Sequence, residues 1–336
     1  MDTSASELPP LLPPELPTTP EFRKAGFSRR VGAFLIDSIL LGIVGWILGF
    51  FFADAFMRMA GWERAIGFAV ASLYFVPLNS RFGRGQTVGK RALGIRVVSK
   101  TGATLGFPRS LARSAVLMVP YFLNGAPIPM EVLKLGGGLV FSEAVFGLGL
   151  SIVYLIAVNA RTRQSLHDLV VGSYVVRVGS ETADKPRTWT GHYVVVGLIL
   201  IAAGVLPTLG AKLLAKWLPQ EVLTAYEAIQ REPEVTSAQV MTGQTVFWDS
   251  AKGQRLVTGV TVNVRLNRRI ENHDEEANKF VRILLAKYPE AATKDSISVT
   301  LSEGYDLGIA SWFFRQGFNY SPQQWWERIG SAAPAP

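Results

Sequence analysis

A single carboxylate interrupts one of the most apolar stretches of the chain. The segment GAFLIDSILLGIVGW, residues 32–46, contains one charged residue, Asp37. An ionised acid within a membrane-spanning helix costs up to about 2.5–3.5 kcal/mol at the helix centre and less near its end. Two interpretations explain why the chain tolerates this cost. Asp37 either binds a basic group and fixes the register of the helices, or it takes up and releases a proton or a cation.

Two further charged positions are candidates for the same site. Arg30 precedes Asp37 by seven residues and therefore lies on nearly the same face of a helix. Asp168 directly follows His167 in RTRQSLHDLVVGSYVV. A histidine titrates near neutrality, so a proton relay between these two side chains is one interpretation. The other is that Ser165 or Asp168 caps a short helix while His167 is a solvated neighbour.

Three secondary candidates lie in other segments. Glu143, in the apolar stretch VFSEAVFGL, is a candidate ion ligand. Lys90 and Arg91, in GRGQTVGKRALG, are expected to meet anionic lipid headgroups or to pair with Asp37 or Asp168. That glycine-rich segment lacks the spacing of a phosphate-binding P-loop. The following segment, GIRVVSKTGATLGF, reads as a small hairpin.

The sequence carries no pattern typical of a catalytic or metal centre. It contains no cysteine and three scattered histidines, and neither HExxH nor GxSxG occurs. We therefore predict that the protein is not an enzyme and takes no cofactor or metal. The net charge of +8 belongs to residues 1–210, and no soluble segment has a compact basic face with interleaved aromatic residues. A nucleic-acid partner is therefore not expected.

The composition is that of a membrane protein, with 49% hydrophobic and 18% charged residues. Four apolar stretches have the length to cross a bilayer or come close to it, at about residues 31–52, 65–78, 139–158 and 193–209. A fifth, residues 114–132, contains three prolines. The stretches 114–132 and 139–158 lie between two basic loops, and both loops are expected in the cytoplasm. The chain must therefore cross the membrane an even number of times between the two loops. The sequence therefore predicts an all-α bundle of about five transmembrane helices, with the N-terminus inside and the C-terminus outside.

The remaining segments define the domain boundaries. Residues 1–24 form a predicted disordered, Pro-rich cytoplasmic tail, and residues 25–178 a membrane domain of about four spans. A cytoplasmic linker, 179–191, precedes the last span, 192–212. Residues 213–336 have balanced charge and read as helix, two strands, helix and strands, the last around Glu303-Gly304. This order predicts a small, soluble, extracytoplasmic α+β domain.

Three ordered segments resemble the RDD family of small prokaryotic membrane proteins: FSRRVGAFLIDSILL, GRGQTVGKRALGIRVVSKTGATLG and RTRQSLHDLVVGSYVV. The resemblance covers about residues 25–178. It implies that Arg30 is the arginine of the family name and that Asp37 and Asp168 are its two aspartates. It further implies a bacterial inner-membrane protein and a transport role, with cation/proton antiport suggested for some members.

Two functional hypotheses follow. The first is a transporter or cation/proton antiporter component that uses intramembrane carboxylates. Because five spans are few for a monomeric transporter, it requires a homo-oligomer or a membrane-protein partner. The second is a non-catalytic membrane scaffold whose Arg/Asp set is structural and whose C-terminal domain binds an envelope component. In both cases the expected partner at the cytoplasmic face is a bilayer with anionic headgroups.

Overall fold

The computed structural model describes residues 23–127, 137–181, 185–217, 219–249 and 253–330. Most of the predicted tail, the end of the predicted span 114–132 and part of the predicted linker 179–191 lie outside these ranges.

The N-terminal two thirds of the chain are mainly helical. The helices are α1 (Phe27–Arg58), α2 (Arg64–Asn79), α3 (Val88–Ala92), α4 (Phe107–Leu123), α5 (Gly138–Val158), α6 (Leu166–Val171) and α7 (Gly191–Trp217). Among the described residues, α1 and α5 have the length and composition to cross a membrane, while α2 and the first part of α7 are shorter apolar helices. The two long helices match predicted spans, and the predicted count of five also requires α2, α4 and α7.

Two of these helices depart from regular geometry. The backbone of α1 is non-helical at Phe52, with φ −125° and ψ 18°, near the end predicted for the first span. Helix α1 therefore continues past that end through a kink. Helix α5 contains a π-helical turn, Glu143–Gly147. Such turns interrupt the regular helical ladder of hydrogen bonds and often occur at functional sites.

The membrane region also contains a small sheet, so the prediction of an all-α bundle was wrong in this detail. Strand β1 (Ile95–Ser99) pairs antiparallel with β2 (Ser173–Arg177), with Val97 opposite Val175. The predicted local hairpin is therefore also wrong, because β1 takes its partner from a distant part of the chain. Most residues of both strands are buried, which gives the pairing a hydrophobic driving force that local turn residues do not reveal.

The C-terminal region has the predicted α+β order, followed by a final helix that was not predicted. Its elements are α8 (Gln220–Gln230), β3 (Val235–Asp249), β4 (Gly253–Leu266), α9 (His273–Lys287), β5 (Ser296–Asp306), β6 (Ser311–Tyr320) and α10 (Pro322–Ile329). The sheet order is β3-β4-β5-β6, with β4 and β5 parallel and the other pairs antiparallel. Helix α9 forms the crossover that a parallel pair requires. Its buried face, which includes Phe280 and Leu284, packs in the main core with Val262, Val299 and Trp325.

Glu303 and Gly304, around which the last strands were predicted, both lie within β5. The chain turns between β5 and β6 at residues 307–310, and this turn packs against the membrane helices. Its residue Leu307 is fully buried, and the hydroxyl of Tyr121 in α4 donates to the Gly308 carbonyl at 2.5 Å. A Cβ at Gly67 in α2 would lie 1.7 Å from the Leu307 carbonyl oxygen, so this approach requires glycine.

A buried ion pair joins the same two parts of the molecule. Glu63, immediately before α2, is fully buried. Its carboxylate accepts from Arg265 of β4 at 2.8 Å and from the backbone N–H of Asp306 at 3.1 Å. The C-terminal domain is therefore attached to the end of the bundle where α1 finishes and α2 begins.

Candidate functional site

The predicted site residues lie near the opposite end of the bundle, where α1 begins. Arg30 occupies the first turn of α1, and Asp37 lies two turns further along the helix. Asp37 is 1% exposed and Asp168 is fully buried. Two carboxylates removed from water in this way require donors or counter-charges, and the structure supplies them differently at the two positions.

Asp37 accepts hydrogen bonds from three neutral donors. Its Oδ1 accepts from the Tyr74 hydroxyl at 2.6 Å and from the Gly89 backbone N–H at 2.8 Å. Its Oδ2 accepts from the Thr87 hydroxyl at 2.6 Å. Thr87 is also the N-cap of α3, whose side-chain oxygen accepts from the backbone of Lys90. The carboxylate of Asp37 thus joins α1 to α2 and to the start of α3.

Close backbone packing makes this arrangement possible. A Cβ at Gly89 would lie 2.1 Å from the carbonyl oxygen of Ala33 in α1. Glycine therefore allows α3 to approach α1 closely enough for its own N–H to reach Asp37.

Asp168 is bound by two guanidinium groups. Its Oδ1 accepts from Arg113 Nη2 at 2.8 Å and Nε at 3.0 Å, and its Oδ2 accepts from Arg30 Nη2 at 2.6 Å. The hydroxyl of Ser173 adds a bond of 2.9 Å to Oδ1. Asp168 also forms a capping box with Ser165, the N-cap of α6. One carboxylate therefore links α1, α4, α6 and β2.

The charges around Asp168 keep it ionised. Burial by itself would raise the pKa of this carboxyl, but the opposing charges, with Arg113 the largest, outweigh burial and hold the pKa well below its usual range. The helix cap predicted from the sequence as one alternative is therefore present, and it is combined with a buried ion-pair network. Arg30 contributes further by donating to the carbonyl of Arg163.

The structure therefore separates the predicted trio into two sites. Arg30 pairs with Asp168, whereas Asp37 finds its donors on α2 and α3. Arg30, which its spacing on α1 made one candidate partner of Asp37, instead directs its guanidinium to the buried carboxylate of α6. The two sites are nevertheless neighbours, since Arg30 and Asp37 line one cavity.

That cavity has a volume of about 240 Å³ and joins polar and apolar surfaces. Its apolar residues come mainly from the membrane helices, among them Phe27, Phe34, Phe75, Leu117, Met118 and Ile156. Its polar residues gather where α1 begins and include Arg30, Asp37, Asn79, Lys90, Arg113, Arg163 and His167.

Two basic side chains in the cavity have environments that disfavour their charge. His167 is 5% exposed, so the expectation of a solvated histidine was wrong. Burial lowers the pKa of His167 to about 3, and the nearby arginines add to this decrease. Burial, followed by the charge of Arg113, lowers the pKa of Lys90 to about 7. Lys90 donates to the side-chain oxygen of Asn79 at 2.8 Å rather than to an aspartate.

The other secondary candidates lie elsewhere. Arg91 is exposed, and within the described part of the chain its guanidinium donates to the Gly83 carbonyl at 3.5 Å. Glu143 lies in the π-helical turn of α5 and faces α7, because a Cβ at Gly204 would meet its carboxylate oxygen at 2.9 Å. Neither residue lines the cavity that contains Arg30 and Asp37.

Sequence reasoning missed the groups that satisfy the two aspartates. The candidate residues do not include Tyr74, Thr87, Gly89 or Arg113. A usable signal existed for Arg113, since α4 begins at Phe107 and places this arginine at helical spacing within an amphipathic pattern. The contacts of Tyr74 and Thr87 depend on tertiary packing.

Comparisons with known proteins cover the N-terminal part of the chain. Residues 24–172 match the model of the RDD family. The chain is 29% identical over 158 residues to the uncharacterized protein YckC of Bacillus subtilis (strain 168), which corresponds to 46% of this chain and 85% of that protein. No solved structure matches the chain. Arg30, Asp37 and Asp168 all lie inside the matched region, whereas α7 and the C-terminal domain lie beyond it.

Proposed function

Because residues 24–172 match the model of the RDD family, we propose that the chain is a membrane protein of this family and that Arg30, Asp37 and Asp168 are structural residues of a non-catalytic membrane scaffold. The scaffold holds the C-terminal domain on the outer face of the bacterial inner membrane. The observation that carries this proposal is the complete use of both buried carboxylates: each oxygen of Asp37 and Asp168 accepts at least one hydrogen bond.

The bonding of Asp37 favours a clamp over an ion carrier. Release of a proton or cation is easiest from a carboxylate that can exchange its partners, but Asp37 is held by two hydroxyl groups and a backbone N–H from two other segments. Displacing these donors would leave buried polar groups unpaired, at a cost of about 1–3 kcal/mol for each group.

The contacts at the two ends of the bundle support five alternating crossings. The end of α4 lies beside the start of α2, because Arg64 donates to the Tyr121 carbonyl at 3.1 Å. The end of α5 lies beside the start of α7, where Tyr154 and His192 are 2.9 Å apart. These contacts fit helices that run in alternate directions, with the C-terminal domain on the side opposite to Arg30.

Labelling of single cysteines tests this orientation cleanly, because the chain contains no cysteine of its own. The two variants are Lys287→Cys, with its substitution at the end of α9, and Lys100→Cys, with its substitution directly after β1. A membrane-impermeant maleimide applied to spheroplasts should label the first variant, and the second only after the membrane is permeabilised. Labelling of the Lys100→Cys variant in intact spheroplasts would overturn the proposed orientation.

Cation or proton exchange is the second candidate function, and the position of Asp37 on the cavity favours it. The deciding experiment is cation and proton flux into proteoliposomes containing the wild-type chain or Asp37→Asn. Loss of flux in a variant that unfolds at the wild-type temperature would support transport. Flux that is unchanged would reject a carrier role for this carboxylate. The homo-oligomer expected of a five-span transporter stays a prediction.

A further inference from the structure

The cavity at the start of α1 combines two surfaces that rarely serve the same ligand. One wall is apolar and continues onto the exposed face of α1, where Phe27 and Phe34 are 51% and 53% exposed. The other wall is polar and basic. A small hydrophilic ion would leave the first wall unused, and a simple hydrocarbon would leave the second unsatisfied.

The polar wall carries more basic groups than acidic ones. Arg30, Lys90, Arg113 and Arg163 line it, against the carboxylate of Asp37 in the lining and that of Asp168 behind it. Arg30 and Arg113 form ion pairs with Asp168. Lys90 and Arg163 form no ion pair with any residue in the described part of the chain, so they remain able to bind an external anion.

Two details of this wall point to a ligand. The Nδ1 atom of the buried His167 has no hydrogen-bond partner in the described residues, and its Nε2 is 3.6 Å from Asp168. An unpartnered buried polar atom carries a desolvation cost that a bound acceptor or donor would remove. Arg163 adopts a φ of +56°, which is uncommon for a residue with a side chain. In this conformation its carbonyl accepts from Arg30, and the residue lies in the lining of the cavity.

We propose that this cavity binds the phosphate headgroup of an anionic phospholipid, with Lys90, Arg163 and His167 as the binding residues. The phosphate accepts hydrogen bonds from the guanidinium of Arg163 and the ammonium of Lys90, and its negative charge beside Nδ1 favours a proton on that nitrogen of His167, which then donates to it. The acyl chains lie along the apolar wall and the exposed face of α1. Inorganic phosphate shares the headgroup chemistry but has nothing to place against Phe27 and Phe34.

This proposal goes beyond the scaffold function and does not depend on it, because the binding residues are separate from the two aspartates. A bound lipid would attach the start of α1 to the lipid leaflet at that face. The site is also distinct from general attraction of basic loops to a charged surface, since Arg91 and Arg161 are exposed at the same end of the bundle but lie outside the cavity.

Native mass spectrometry of the full chain tests the site. The protein is released from vesicles of equal phosphatidylglycerol and phosphatidylcholine content, and the ratio of the two bound lipids is measured. The wild-type chain should retain phosphatidylglycerol in preference. Arg163→Gln and Lys90→Gln should each lower that preference about fivefold, as expected for one basic contact worth about 1 kcal/mol. Arg161→Gln is the matched control and should keep the wild-type ratio.

Three results would overturn the proposal. Equal losses in Arg163→Gln and Arg161→Gln would mean that surface charge alone selects the lipid. An unchanged ratio in Arg163→Gln, with the variant unfolding at the wild-type temperature, would remove this residue from the site. Displacement of bound phosphatidylglycerol by inorganic phosphate alone would assign the cavity to a free anion. A measured unfolding temperature for each variant separates a lost ligand from a lost fold.

Discussion

The regions around Asp37 and Asp168 stabilise a buried carboxylate in two different ways. Each buries a carboxylate near the start of α1, but Asp168 binds the guanidinium groups of Arg113 and Arg30, whereas the donors to Asp37 are neutral. The difference shows that the two aspartates are not equivalent. The region of Asp168 requires a negative charge, while the region of Asp37 requires an acceptor of the right shape.

The largest effect is expected where the charge is needed. Asp168→Asn leaves Arg113 and Arg30 without their counter-charge and turns an amide N–H towards donor groups. Breaking a buried ion pair on one side costs about 3–5 kcal/mol. Thermal unfolding of the purified protein in detergent, followed by loss of the monodisperse peak, should show a strongly destabilised variant. Wild-type stability would mean that the network around Asp168 is dispensable.

A steric change should disrupt the region of Asp37 without altering any charge. In Gly89→Ala the new Cβ would lie 2.1 Å from the Ala33 carbonyl oxygen, so α3 must move away from α1. We expect a loss of about 3 kcal/mol, near the upper end for overpacking. Gly106→Ala is the control, because its Cβ would have its nearest contact at 3.9 Å. Equal stability of the two variants would contradict the close packing of α1 and α3.

Acid pH should act on the region of Asp168 through its neighbour His167. This histidine lies among Asp168, Arg113, Arg30 and Lys90, and its folded pKa of about 3 is below the usual value of the unfolded chain. Its contribution to stability is therefore complete above about pH 6.5 and is lost as the pH falls towards 3. Between pH 6.5 and 5 the loss should be about 2 kcal/mol.

The variant His167→Gln checks the origin of this pH dependence. Unfolding temperatures measured across the same pH range should fall less steeply in this variant than in the wild type. His273→Gln, in the C-terminal domain, is the comparison and should keep the wild-type slope. The low pKa of Asp168 does not interfere, because its contribution to stability is lost only below about pH 4. An unchanged slope in His167→Gln would place the titrating group elsewhere.

The smallest effect is expected for Asp37→Asn. The amide oxygen can accept from the Tyr74 hydroxyl and the Gly89 N–H, and the new NH₂ group can donate to the Thr87 hydroxyl, which is able to accept. Because the three neutral partners each keep a hydrogen bond to the new side chain, the substitution should cost less than about 1 kcal/mol. Thermal unfolding measures this value. A loss as large as that of Asp168→Asn would show that charge also matters at Asp37.

The sequence predicted the need for these contacts better than the contacts themselves. An acid in an apolar helix requires a partner, and the Ser165 and Asp168 spacing indicates a helix cap, so both ideas could be reached from local pattern. The partners Tyr74 and Thr87 could not, because they reach Asp37 only after α2 and α3 pack on α1. Strand β1 was likewise misassigned, since its partner β2 is distant in sequence.

The C-terminal domain shows the same limit. Its element order follows from hydrophobic periodicity, and the structure confirms it. The contact between its 307–310 turn and the membrane helices depends on Gly67 and on the buried pair of Glu63 and Arg265. No local pattern marks these three residues as an interface, because each is common in other settings.

The unfolding temperatures of Asp37→Asn and Asp168→Asn, measured side by side in one membrane mimetic, test the central claim most directly. The account predicts that Asp168→Asn unfolds at least about 6 °C below Asp37→Asn, since a difference of about 3 kcal/mol corresponds to roughly this shift in a chain of this size. Equal temperatures, or a lower temperature for Asp37→Asn, would contradict the assignment of a charge-dependent network to Asp168 and a neutral clamp to Asp37.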